Sequence, residues 1–224
     1  MRVMRLAASI CFLALFLLTS CGYKEPMQGQ QATLQVACLG DSITYGYKLA
    51  DPAHNSYPVR LSQQSKGLWH VVNLGVNGAT VLNRGDIPIT AQKSYHQLMK
   101  STPDVVIIML GTNDIKDNNY HHISNFVRDY ITMIEKIQQL PSSPRVIVCS
   151  IPPILIDYPN GLNAKRQKSI NLLIKKAANI SGADFFDINA QLVNKPSLFI
   201  DGIHPNTLGA QKIASLIFKE VSKL

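Results

Sequence analysis

Four side chains of this 224-residue chain have the types and spacing that acyl transfer requires. Ser42 stands in Gly40-Asp41-Ser42-Ile43-Thr44, Asn113 in Gly111-Thr112-Asn113-Asp114, and Asp201 with His204 in Asp201-Gly202-Ile203-His204-Pro205. A serine hydroxyl keeps its proton near neutral pH and attacks a carbonyl poorly unless a base removes that proton. His204 is the candidate base, and Asp201 would hold the other ring nitrogen and stabilise the imidazolium that forms. Their spacing lets one short turn present both side chains. The Asn113 amide would donate to the oxyanion created by attack, with backbone N–H groups completing the hole. Position 44 is threonine, so no Gly-x-Ser-x-Gly elbow surrounds Ser42 and an α/β-hydrolase is excluded.

Each motif alone reads as a turn, a capped loop or a helix entry. They become a site only if the elements around them converge. Short apolar runs at Leu34–Leu39, His70–Leu74, Asp104–Leu110, Arg145–Ser150 and Asp184–Ile188 read as strands. Val105 to Leu110 is apolar at every position, which suits a strand covered on both faces. Helical patterns fall at about 56–66, 90–100, 122–140, 162–181 and 206–222, with Ser56 as a candidate cap and Gly67 and Gly182 as stops. Ala210, Ile213, Ile217 and Val221 share one face of the last helix. Five β-then-α units predict an α/β fold, a three-layer α/β/α sandwich around a doubly wound parallel five-stranded sheet. Ligands of such a sheet sit at the carboxyl ends of its strands, where all three chemical motifs fall.

At this point the chain resembles the SGNH, or GDSL-type, esterase and acylhydrolase superfamily. The matching blocks are Gly40-Asp41-Ser42-Ile43, Asn73-Leu74-Gly75-Val76-Asn77-Gly78, Gly111-Thr112-Asn113-Asp114 and Asp201-Gly202-Ile203-His204, with Ile43 in place of the usual leucine. The resemblance implies a flavodoxin-like sheet of order 2-1-3-4-5, Ser42 as nucleophile, His204 as base and Asp201 as its partner. It also implies an oxyanion hole made by the backbone N–H groups of Ser42 and Gly75 and by the Asn113 side chain. Gly75, lacking a Cβ, would approach substrate closely and adopt a positive φ. Asp41 and Asp114 are expected to organise loops by local hydrogen bonds, and Asp187 to be structural.

The longer blocks, including Ser56-Tyr57-Pro58 and Gly85-Asp86, resemble bacterial secreted sialate or other carbohydrate O-acetylesterases. That points to a small ester or an O-acetylated glycan as substrate. Two alternatives stand beside it. Ile151-Pro152-Pro153-Ile154-Leu155-Ile156 would line an acyl-chain groove in a lysophospholipase or thioesterase, and a degenerate esterase fold would make a glycan-binding lipoprotein.

The N-terminus reads as an address. Arg2 and Arg5 precede an apolar run from Leu6 to Leu18, too short to span a bilayer, and Leu18-Thr19-Ser20-Cys21 resembles a bacterial lipobox. The expected division is a signal peptide over 1–20, a lipidated Cys21 with a flexible tether over 21–33, and one domain over 34–224. The protein would be exported and held to the bacterial cell envelope by lipid on Cys21, facing the periplasm or the surface.

Composition fits a globular domain: 46% hydrophobic and 16% charged residues exclude a disordered polymer. The formal net charge is +8, but residues 1–20 hold two arginines and no acid, leaving twenty basic residues against fourteen acidic. The clusters Lys165, Arg166, Lys168 and Lys175, Lys176 fall in a helical pattern and read as a solvated face. No nucleic-acid module or aromatic-interleaved basic stripe is present, so no nucleic-acid partner is expected. No zinc, phosphate-loop or dinucleotide motif occurs, so no metal or cofactor is expected. His121-His122 reads as a surface pair. Cys38 and Cys149 lie in apolar strand runs and are expected to be buried free thiols.

Overall fold

Every residue of Val105–Met109 is buried, as a strand covered on both faces requires. In the computed structural model, which describes residues 33–223, this strand is the centre of a five-stranded sheet. The signal segment, Cys21 and nearly all of the tether lie outside the described residues.

The strands are β1 (Leu34–Gly40), β2 (Trp69–Gly75), β3 (Val105–Met109), β4 (Arg145–Cys149) and β5 (Asp184–Phe186). Their order is β2-β1-β3-β4-β5 and every pairing is parallel, as expected. The helices are α1 (Ser42–Tyr45), α2 (Pro52–Asn55), α3 (Tyr57–Gln64), α4 (Lys93–Leu98), α5 (Asp117–Tyr120), α6 (Phe126–Gln138), α7 (Ala164–Ser181), α8 (Ile188–Leu192) and α9 (Thr207–Val221).

Alternation along the strands divides the core in two. Ala37, Leu39, Val106 and Ile108 pack with Tyr95 and Leu98 of α4, Phe126, Tyr130 and Ile134 of α6, and Ile170 and Ile174 of α7. Val36, Cys38, Val105 and Ile107 face the other way, against Tyr57 and Leu61 of α3 and Ile213, Ile217 and Val221 of α9. Helix α9 returns along the sheet, so that Phe218 near its end stacks on Trp69 at the start of β2, with ring centroids 4.6 Å apart. In register, Gly40 lies opposite both Gly75 and Met109, so β1, β2 and β3 end at one edge.

Local chemistry moved several boundaries. β5 stops at Phe186 because the Asp187 side chain accepts the Ala190 N–H and starts α8. Ser56 occupies the N-cap position of α3 without a side-chain cap; its hydroxyl instead accepts Asn73 Nδ2 at 3.2 Å. Asn163 caps α7 through the Arg166 N–H, and Gly182 ends it with a φ of 68°. Lys165 and Lys168 are exposed as read, but Arg166 is not part of a solvated face. Its guanidinium donates to the Ile115 carbonyl at 3.0 Å and to Asp117 at 2.7 Å, and covers the Tyr120 ring. Cys38 and Cys149 are buried and unbridged on β1 and β4, with β3 between them, and burial pushes the Cys38 thiol up to about 12.

Candidate active site

The nucleophile candidate is placed by an abrupt strand-to-helix turn. A Cβ on Gly40 would lie 1.9 Å from Thr44 Oγ1 and 2.9 Å from the Met109 carbonyl, so α1 folds back onto β1 only because residue 40 is glycine. Asp41 caps α1, its Oδ1 accepting the Ile43 N–H at 2.9 Å. Ser42 is therefore the first residue of α1, and its Oγ lies 3.0 Å from His204 Nε2.

Asp201 and His204 share a loop closed by the Ile200 N–H to the His204 carbonyl, 2.8 Å. Within it, Asp201 Oδ1 accepts the N–H groups of Ile203 and His204 at 3.1 and 2.8 Å, and Oδ2 lies 2.8 Å from His204 Nδ1. A carboxylate can only accept, so Nδ1 carries the proton and Nε2 is left to accept from the Ser42 hydroxyl. Tyr47 sets its ring edge against the His204 ring, with centroids 5.0 Å apart.

The third loop follows β3. Asn113 is buried and donates from Nδ2 to the Ala79 carbonyl at 3.0 Å, which fixes the amide plane and leaves its second N–H with no acceptor among the described residues. Asp114 anchors the same segment, accepting the N–H groups of Val81 and Leu82 at 3.1 and 2.8 Å. Asn119 closes the network by donating to the Asn113 carbonyl.

Gly75 does not join this group. Its N–H donates to Asn73 Oδ1 at 2.9 Å, and its φ is not positive. A Cβ there would lie 2.2 Å from the Tyr45 nitrogen, so the close approach Gly75 permits is to α1 rather than to a ligand. The second glycine of the block, Gly78, lines the cleft with Ser42 and Asn113 at a φ of 79°. Among the described residues its N–H has no acceptor, and neither does that of Ser42.

The cleft has a volume of about 390 Å³, within the range of small-ligand sites. Tyr47, Asn77, Thr112, Lys116, Tyr158, Asn160 and Leu162 complete its walls beside the residues already placed. Ile151 to Ile154 are not among them: they are buried in the core, and the exposed Ile156 packs beside Gly202. Most of the segment that would line an acyl-chain groove in the alternative reading is therefore packed into the core, with only Ile156 exposed. Among the described residues no group of three or more His, Cys, Asp or Glu side chains is arranged to hold a metal.

Residues 38–212 match the GDSL-like lipase/acylhydrolase family. The chain belongs to this family. It is 31% identical over 207 residues to an acetylxylan esterase of Xylanibacter ruminicola, a match covering 84% of this chain and 43% of that protein. The chain thus spans less than half the length of that relative. Its fold is shared by solved structures, among them the following two. The M. smegmatis aryl esterase, 20% identical, gives a TM-score of 0.68 with 86% of this chain and 100% of that chain covered. Est24, a carbohydrate acetylesterase from Sinorhizobium meliloti, is 21% identical with a TM-score of 0.64, covering 85% and 99%.

Electrostatics at this GDSL-type site sort the acids. Burial alone would raise Asp201, but the His204 N–H and imidazole, the Lys48 ammonium and the Ile203 N–H outweigh it and hold the carboxyl well below its usual range. Burial dominates at Asp41 and Asp114, raising the first and pushing the second up to about 7. Asp41 Oδ2 has no hydrogen-bond partner among the described residues, although the Thr112 hydroxyl is near enough to favour its charge.

Sequence reasoning missed Gly78, Lys48, Tyr158 and Asn77. Gly78 carried a signal, being the glycine of Asn73 to Gly78 that lies beyond the end of β2. Lys48 and Tyr158 carried none.

Proposed function

We propose that the protein is a serine-dependent carboxylic ester hydrolase that removes small acyl groups, acetyl foremost, from carbohydrates. The observation that carries this reading is the Ser42–His204–Asp201 chain of contacts, 3.0 and 2.8 Å, at the wall of an open cleft. His204 Nε2 takes the Ser42 proton as Oγ attacks the ester carbonyl, and the oxyanion is met by the N–H groups of Ser42 and Gly78 and the free N–H of Asn113. His204 then returns its proton to the departing alcohol. Water repeats the sequence on the acyl-enzyme and releases the acid.

Acetyl is favoured over long acyl chains because Ile151 to Ile154, the residues that would make a lipid groove, are buried elsewhere. A carbohydrate is favoured by the asparagines, tyrosines and Lys116 around the cleft, and by the relatives whose names specify acetylxylan and carbohydrate esters. The test compares acetate release from O-acetylated sugars with hydrolysis of long-chain acyl esters by one preparation, alongside Ser42→Ala. The reading requires preference for acetylated sugar and loss of that activity in Ser42→Ala; equal turnover by the variant would remove the enzyme mechanism.

We also infer that the protein is exported and anchored through lipid on Cys21, from the Leu18-Thr19-Ser20-Cys21 sequence. Radiolabelled palmitate fed to expressing bacteria should label the protein and not its Cys21→Ser variant.

A further inference from the structure

Lys48 has no part in the mechanism above, yet it reaches the acid of the reacting set. Its Nζ lies 2.9 Å from Asp201 Oδ2, the same oxygen that holds His204 Nδ1 at 2.8 Å. Lys48 follows α1 by three residues and takes a positive φ of 67°, a left-handed conformation that residues with a Cβ seldom adopt. That conformation is locked by the turn around it: the Gly46 and Tyr47 N–H groups both donate to the Ser42 carbonyl, and the Leu49 N–H to Gly46. The residue that supplies the nucleophile thus also ties down the turn that delivers the ammonium.

We propose that Lys48 is a positioning residue for the acid–base pair: it bridges the nucleophile's turn to the Asp201 carboxylate and sets the pH at which His204 begins to act. The inference rests on the hydrolase reading above, but its physics concerns the resting protein. Two elements hold the Asp201 carboxylate, and a third holds its backbone. Lys48 comes from the turn after α1, His204 and two backbone N–H groups from its own loop, and the Tyr158 hydroxyl donates to the Asp201 carbonyl from the loop before α7. Tyr47 borders the imidazole, Lys116 lines the same cleft, and Asp41 precedes Ser42. Tyr158 stays a neutral donor, since partial burial and the Asp201 charge both raise its phenol.

Besides His204 itself, Lys48 is the one basic side chain in direct contact with this carboxylate among the described residues. Its ammonium and the imidazolium compete for one oxygen. With Lys48 present, Asp201 stabilises the imidazolium less, so His204 releases its proton and becomes a base at lower pH. Removing the ammonium gives Asp201 wholly to the imidazolium, and the acid limb of the rate profile moves up. The bridge also fixes the carboxylate from outside its own loop, and through it the ring plane facing Ser42.

The test uses Lys48→Met and Lys48→Arg. Lys48→Met should shift the acid limb of kcat/KM for an aryl acetate upward by about 0.5 to 1 pH unit, a range reduced for the exposure of the lysine. On the plateau, kcat should fall by about three- to tenfold through lost positioning, with KM little changed. Lys48→Arg, which keeps charge and reach, should restore both. NMR titration of the His204 ring reads the same upward shift in Lys48→Met without any turnover. Superimposable titrations in wild type and Lys48→Met, or failure of Lys48→Arg to restore the profile, would overturn the inference. If the wild type hydrolyses no ester, the hydrolase reading fails while the titration still decides the role of Lys48.

Discussion

Two aspartates at the same edge of the sheet have nearly the same backbone environment and opposite electrostatics. Asp201 accepts the N–H groups of Ile203 and His204; Asp114 accepts those of Val81 and Leu82. Yet Asp201 is held well below the usual carboxylate range, whereas Asp114 is pushed up to about 7. The difference lies in what else each can see. Asp201 has an ammonium and an imidazole within 2.9 Å and keeps some contact with solvent. Asp114 is fully buried and has no salt-bridge partner among the described residues. Two backbone N–H groups do not offset the complete desolvation of Asp114, whereas at the partly exposed Asp201 two N–H groups, an imidazole and an ammonium outweigh a smaller desolvation. One loop is built to keep a charge available beside the reacting atoms, and the other to hold backbone in place.

Three substitutions break this contrast, in decreasing size of effect. Asp201→Asn keeps the loop's shape but offers the imidazole a poor partner and the wrong tautomer; kcat toward an aryl acetate should fall by about 10³–10⁴-fold. Asn113→Ala removes the proposed oxyanion donor that the Asp114 loop holds, and should cost about 10²–10³-fold in kcat. A loss under fivefold would exclude Asn113 from the oxyanion hole.

Asp114→Ala acts on folding first, since the Val81 and Leu82 N–H groups lose their acceptor inside the core. Urea unfolding should show a loss of roughly 2–4 kcal/mol. That loss depends on pH. The folded-state value of Asp114 lies above its unfolded value of 3.8, so its contribution is complete below about 3.8 and fades as pH rises to about 7. The slope from this group is at most about 1.4 kcal/mol per pH unit. Asp201 works the other way, stabilising above its unfolded value and losing that effect only in acid. Wild type should therefore lose stability between pH 4 and 7 more steeply than Asp114→Ala; parallel curves would show that Asp114 is ionised throughout.

Much of this was readable in the chain. Strand ends are marked by apolar runs that stop at polar, glycine-containing motifs, and a parallel sheet sends such ends to one edge, so Ser42 after β1 and Asn113 after β3 had to become neighbours. The Asp201–His204 loop instead follows α8, beyond the end of β5, and its place beside Ser42 was legible only through the resemblance. Expectations failed where a side chain spends a backbone group. Whether Gly75 or Gly78 offers a free N–H depends on Asn73 folding back onto Gly75, which no spacing announces. Arg166 reads like its lysine neighbours until Asp117 and the Ile115 carbonyl are brought beneath it. Ile151 to Ile156 is apolar enough for a core or a groove, and only the packing of α7 decides between them. Lys48 is out of reach for the same reason, its partner lying far along the chain.

The stacking of Phe218 on Trp69 bears on how this domain can be mounted. β1 runs seven residues from Leu34 to the nucleophile's turn, roughly 23 Å at the rise of a parallel strand. α9 starts beside His204 and travels back to the level of Trp69. Both exits of the described chain therefore open on the side of the sheet away from the reacting cleft. Anything joined to the described residues at either exit leaves the mouth of the cleft uncovered. A carrier fused at residue 33 should leave ester hydrolysis unaltered for a polymer as much as for a small acetate.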